Sequence, residues 1–259
     1  MEDPFYLAIF FFLVAIFYSS VGFGGGSSYL AILVLAGVDL FTLRSTSLMC
    51  NIIVVTSGTI IFYQQGYLNL RRSLPLVLAS VPLAFIGGYL PLRAKLIFII
   101  LGFALLLAAI LLWFKNTKTL SESRLENRNA YIASGIGGAI GFISGMVGIG
   151  GGIFLSPVLN FINWNKAKRI AAISSLFILV NSIAGLVGQW FQHPLEIDLE
   201  WAWPLLLAVF LGGQIGSRLS VMKFNNRTIQ RTTAILIFIA SMKILNDHLF
   251  HLDNFFNDL

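Results

Sequence analysis

The residues best placed to do chemistry form a glycine pattern that occurs twice. Val21-Gly22-Phe23-Gly24-Gly25-Gly26 returns as Val147-Gly148-Ile149-Gly150-Gly151-Gly152, shifted by 126 residues from Gly22 to Gly148. Glycine lets the backbone turn sharply and approach a ligand closely. A helix that starts behind such a loop presents unpaired N–H groups and the positive end of its dipole. The chemistry on offer is anion binding by Gly24, Gly25 and Gly26 and by Gly150, Gly151 and Gly152. Ser27 and Ser28 add hydroxyl donors directly after the first loop. Ile153 follows the second loop, with Ser156-Pro157 one turn later, so the two mouths differ. A nucleotide-phosphate loop is a poor match, because no strand precedes either copy and no Lys-Ser/Thr follows.

Polar residues downstream supply the second set of candidates. Thr46, Ser47, Ser174 and Ser175 are expected at helix beginnings near the loops, as substrate contacts. Asn51 shares a helix face with Ser47 and Gly58. In the second half Ser174, Asn181, Gly185 and Gly188 share one face, beside a stripe of Ser175, Ser182 and Gln189. Inside a membrane such side chains turn toward protein or water. Asn51 and Asn181 fit substrate contact and interhelical hydrogen bonding equally well. Gly87, Gly88, Gly137, Gly138, Gly212, Gly213 and Gly216 read as close helix packing. Arg44 and Arg169 read as interfacial anchors in preference to anion partners.

Other chemistries are excluded by what the apolar segments lack. No Asp, Glu or His falls in the middle of one; Asp39, Glu200 and Asp247 mark ends, and His193, His248 and His251 lie in loops. Intramembrane proton relays need a titratable group there, and membrane proteases need paired aspartates, His-Glu-x-x-His or Ser/His sets. Cys50 is the only cysteine, which rules out intramolecular disulfides and cysteine metal sites. No catalysis, metal or cofactor is expected.

The elements that must position these residues are helices in lipid. Of the 259 residues 57% are hydrophobic and 11% charged, whereas a soluble domain carries about 25% charged residues. Apolar segments lie at 5–22, 27–38, 46–64, 74–91, 96–114, 130–147, 152–162, 170–190, 201–217 and 229–246. Segments 96–114 and 234–246 are apolar all round and are expected to face lipid. The amino terminus lacks a signal peptide's basic region and cleavage site, so it is kept as mature structure. A formal charge of +6 comes from basic residues scattered through loops, which fits topology control and not nucleic acid.

The fold expected is an all-α polytopic membrane protein, a single transport domain over residues 1–259. Repeat 1 spans about 5–114, a polar linker 115–129, and repeat 2 about 130–250. Thr46-Ser47-Leu48 is matched with Ser174-Ser175-Leu176, and Gly87-Gly88 with Gly212-Gly213. Pro75 pairs with Pro204 at a different shift, implying an extra helical turn in the first half. Segments 27–38 and 152–162 are too short to span, since a crossing helix needs roughly 20 residues. Each half therefore has a glycine-broken helix pair or a re-entrant hairpin, plus three transmembrane helices. The positive-inside rule favours hairpins and an inverted repeat with both termini outside. That scheme puts Arg71, Arg72, the linker, Lys166, Lys168, Arg169, Arg218, Lys223, Arg227 and Arg231 on the cytoplasmic side, and Arg44, Arg93, Lys95 and Lys243 outside.

At the loops Val21–Gly26 and Val147–Gly152, with Thr46-Ser47-Leu48 and Ser174-Ser175-Leu176, the chain resembles the TauE/SafE family of sulfite exporters. The resemblance implies movement of sulfite, thiosulfate, sulfonates or related sulfur anions across the bacterial cytoplasmic membrane. The family commonly has a proline soon after its glycine loop. Pro157 meets that pattern, but Ser27-Ser28-Tyr29-Leu30 does not. The reading is a secondary transporter with alternating access, in which any coupled proton rides on the substrate. A non-transporting accessory protein and an anion channel stand as alternatives. The partners expected are a small inorganic or organosulfur anion, the lipid bilayer and, in an assembly, a second copy as a homodimer; no nucleic acid is expected.

Overall fold

A computed structural model describes residues 4–20, 23–91, 94–113, 130–162, 164–165, 167–192, 199–219 and 226–250. Val21, Gly22, Arg93, the linker 115–129, Lys166, His193, Lys223 and His251 lie outside the described residues. All regular structure among those described is helical: α1 (Pro4–Ser20), α2 (Gly26–Leu35), α3 (Leu40–Gln64), α4 (Leu70–Tyr89), α5 (Ala94–Trp113), α6 (Ala130–Val147), α7 (Gly152–Phe161), α8 (Ala167–Gln192), α9 (Leu199–Leu219) and α10 (Asn226–Leu245), which runs into a π turn at Asn246–Phe250. Each apolar segment of the sequence becomes one helix. With 10 residues each, α2 and α7 are about 15 Å long, half the thickness of a bilayer's hydrocarbon core.

One boundary differs in a way that matters. α3 begins at Leu40, six residues before the expected start, because the Asp39 carboxylate caps it by accepting from the amides of Phe41 and Thr42, both at 3.0 Å. α8 likewise begins at Ala167. Thr46, Ser47, Ser174 and Ser175 therefore sit about two turns inside their helices rather than at the beginnings.

The halves interlock. α1 packs along α9, and α4 packs along α6 and α8. α3 packs on α8 and α9, and α5 on α10. Small residues permit the closest crossings: a Cβ on Gly137, Gly141 or Gly145 of α6 would run into the backbone of Leu76, Ser80 or Ala84 on α4. The same contacts bear on the internal register expected from the sequence. Gly87 meets the Phe142 carbonyl and Gly216 meets the Ile16 carbonyl; Phe142 and Ile16 differ by the loop shift of 126. Gly87 thus corresponds to Gly216, a shift of 129 that Pro75 and Pro204 share. The two helices align without an extra turn, and Gly212-Gly213 sits one turn earlier than Gly87-Gly88 in that register.

α3 and α8 form the centre, and the spans Leu40–Gln64 and Lys168–Gln192 are long and apolar enough to cross a membrane. Large apolar side chains stand exposed on the outer helices, among them Phe5, Phe10, Leu78, Phe103, Phe210 and Phe238. A water-soluble monomer rarely leaves so many large apolar side chains exposed. α5 and α10 bury Leu101, Leu105 and Ile237 between them and expose Leu107, Ile110 and Ile239, so each has one packed face and one outward face. His248 lies in the π turn rather than a loop, stacked 4.4 Å from the Phe98 ring.

Candidate functional site

Both glycine loops end in the left-handed backbone region, where L side chains are strained. Gly25, with φ of 89°, is the N-cap of α2 and provides no side-chain hydrogen bond to it. Gly151, with φ of 84°, precedes α7 in the same way. The Gly25 carbonyl takes the amides of Ser28 and Tyr29, and the Gly151 carbonyl takes those of Phe154 and Leu155. This leaves the amides of Gly26 and Ser27, and of Gly152 and Ile153, without intrahelical acceptors. All four residues line one cavity of about 30 Å3, together with Tyr18, Phe23, Asn51, Ser156, Pro157 and Ile178. Among the described residues, none that lines it is acidic. A water needs about 10–15 Å3 by this measure, so the cavity has room for roughly two.

Asn51 ties the two loops together. It comes from the middle of α3, is 0% exposed, and donates from Nδ2 to the Ile149 carbonyl at 2.9 Å. A Cβ on Gly24 or Gly26 would collide with the Asn51 amide, and one on Gly150 would lie 2.9 Å from its Nδ2. Ile178 of α8 occupies the corresponding place in the second half, against Gly150 and Gly152. Seven residues before Asn51, on the same face of α3, Arg44 packs against Gly148. It is 1% exposed, and its Nη2 donates to the Gly145 carbonyl at 3.4 Å, in the last turn of α6. Its Nε and Nη1 have no partner. A cation beside a helix C-terminus is favourably placed. Arg44 is therefore no interfacial anchor, whereas Arg169 is exposed.

The sequence-derived candidates divide. Gly24, Gly25, Gly26, Ser27, Asn51 and Gly152 line the cavity. Ser28 is buried and shares a 2.8 Å hydrogen bond with the Tyr18 hydroxyl. Ser47 donates to the Gly26 carbonyl at 2.9 Å, which holds the start of α2 onto α3. Gly150 and Gly151 lie one layer out, against Ser182 and against Phe177 and Ser144. Thr46 and Ser174 are buried with hydroxyls that have no partner. Ser175 shares a 2.8 Å hydrogen bond with Thr59, bridging α8 to α3. Asn181 donates to the Phe177 carbonyl of its own helix at 2.8 Å. Sequence reasoning missed the burial of Arg44 and the part played by Ile178, Ile149 and Thr59. Such long-range neighbours leave no local signal.

The sequence model of the sulfite exporter TauE/SafE family matches residues 7–244, spanning both loops, Asn51 and every helix around the cavity. The chain belongs to this family. Among its relatives, it is 32% identical over 246 residues to probable membrane transporter protein y4hK of Sinorhizobium fredii (strain NBRC 101917 / NGR234), covering 92% of this chain and 97% of that one. It is 26% identical to probable membrane transporter protein ORF9 of Sinorhizobium sp over 95% and 96% of the two chains. It is 21% identical to probable membrane transporter protein YunE of Bacillus subtilis (strain 168) over 79% and 81%. No solved structure matches the chain.

Proposed function

We propose that the chain is a secondary transporter for a small sulfur-containing oxyanion such as sulfite, thiosulfate or a sulfonate. It would sit as a multi-pass protein in a bacterial cytoplasmic membrane. One observation carries the reading: two helix N-termini with unpaired amides converge on a single cavity that no acidic residue lines. Broken helices aimed at a common site in two repeated halves are a recurring transporter device. The family's description and its relatives' names support the same class. Ser27, Asn51 and the glycine amides are the binding groups; Thr46, Ser47, Ser174, Ser175 and Asn181 shape the helices behind them.

The mechanism follows from the tightness of the site. A space for about two waters does not admit a pyramidal or tetrahedral sulfur oxyanion unless the loops separate, so binding and release require the halves to move apart at Asn51–Ile149. Alternating access by an inverted repeat would open that seam to one side at a time. With no carboxylate in the lining, a coupled proton would travel on the substrate. Uptake of labelled sulfite into liposomes carrying the purified protein tests this, with saturable, gradient-driven flux expected. Non-saturating flux points to a channel, and no flux of any oxyanion points to an accessory role. A tag in the linker 115–129 that reacts from outside the cell would refute the inverted topology.

A further inference from the structure

The orientation of the Asn51 amide is fixed by its neighbour. The Ile149 carbonyl can only accept, so the atom 2.9 Å from it is Nδ2. Oδ1 is then beside Gly24, buried, with no hydrogen-bond partner among the described residues. A buried amide carbonyl left empty is costly. Among the cavity-lining side chains it is also the one obligate acceptor, since the hydroxyls of Tyr18, Ser27 and Ser156 can donate as well. The amides of Gly26, Ser27, Gly152 and Ile153 only donate. An oxyanion stripped of all protons satisfies those amides but presents lone pairs to Oδ1. One that retains a single hydrogen satisfies both.

We propose that Asn51 Oδ1 is the specificity-determining acceptor that reads the proton on a singly protonated oxyanion, so that hydrogen sulfite and not sulfite is the species held. The inference rests on the oxyanion-site reading above. Ile178, which takes the equivalent place against the second loop, offers no second acceptor of this kind.

The test compares hydrogen sulfite with methanesulfonate, an anion of the same charge without the acidic hydrogen, by thermal-shift titration of the purified full chain. The wild type should bind hydrogen sulfite about 10- to 100-fold more tightly. As pH rises, apparent sulfite affinity should fall in step with the protonated fraction. Asn51→Leu removes the acceptor and should bring the two anions to within about threefold of each other. A purely structural Asn51 would weaken both equally, and any size penalty on methanesulfonate is common to wild type and variant. Should Asn51→Leu fail to fold, Gly24→Ala, whose methyl group would take the place of Oδ1, should show the same collapse. Equal binding of the two anions by the wild type overturns the proposal, as does a ratio preserved in the variants. A sodium requirement with indifference to the anion's proton also overturns it. No binding of any oxyanion removes the site reading and this inference together.

Discussion

Gly26→Ala separates the chemistry of the cavity from the stability of the helices. Gly26 is the first residue of α2 and its φ lies outside the positive range, so alanine is allowed there. By helix propensity alone the change should stabilise α2 by up to about 1 kcal/mol. The new Cβ, however, would fall on Asn51 Nδ2 and lie 2.7 Å from the Ile149 carbonyl oxygen. The amide must swing away, breaking the 2.9 Å bond to Ile149 and leaving a buried donor and acceptor unmatched, at about 1–3 kcal/mol. The net effect on the fold is a loss of about 0–2 kcal/mol, a modest fall in Tm. Anion affinity should fall more, by about 10- to 100-fold, because the misplaced amide lies across the cavity mouth. Thermal-shift titration with sulfite measures both quantities in one experiment. In an Asn51→Ala background the methyl group meets only the Ile149 carbonyl oxygen, so Gly26→Ala should then cost less than in the wild type, giving a coupling of at least about 1 kcal/mol in the double-mutant cycle. Wild-type affinity in Gly26→Ala, or additivity in the cycle, would refute the reasoning.

Gly151→Ala should be worse for the fold: its φ of 84° costs an L residue about 1–2 kcal/mol, and its Cβ would lie 2.8 Å from the Phe177 ring. A lowered Tm and loss of liposome uptake are expected. Arg44→Met removes a buried cation that has one long hydrogen bond and two unpartnered nitrogens. Tm should hold or rise, because isolated buried charge is costly, while sulfite affinity drops at least about fivefold through the lost Coulomb field; a large fall in Tm with unchanged affinity would make Arg44 purely structural. Thr59→Val breaks the Thr59–Ser175 bridge and should cost about 0.6 kcal/mol, typical of interhelical hydrogen bonds in lipid, with flux within about twofold of wild type.

What the chain betrays locally is its helices. Continuous apolar runs and triple-glycine breaks place all ten, because lipid demands such runs and a left-handed turn demands glycine. The start of α3 escapes that logic: Thr42, Arg44 and Ser45 precede the apolar run expected to begin at 46, although Asp39 caps a helix that carries them inside. Internal register escapes it for another reason. Gly87-Gly88 and Gly212-Gly213 look alike as dipeptides, but glycine position is set by which carbonyl approaches, and that partner lies on another helix. The glycine loops were legible as a pair of mouths. That they share one cavity, with Asn51 between them, depends on how α3 packs against α2 and α8, which no short-range pattern encodes.

The two glycine loops are built alike and furnished differently, and the difference has a direction. α3 sends Arg44 and Asn51 onto the second loop, at Gly148 and Ile149. α8, in the register set by Asn51 and Ile178, carries Ala171 and Ile178 at those places. At the loops, α3 therefore supplies the charge and the hydrogen bond, and α8 supplies the apolar contact. Were the loops to part, the Asn51–Ile149 bond would break while the Ile178 contact would slide, keeping the polar groups with α3. A negatively charged solute bound through Asn51 would then travel with the first half, and the second loop would act as the gate that closes on it. Exchanging the pair, with Asn51→Ile and Ile178→Asn together, should leave packing volume nearly unchanged. The donor would move to the other helix, and the anion preference should be lost even though both side chains are still present.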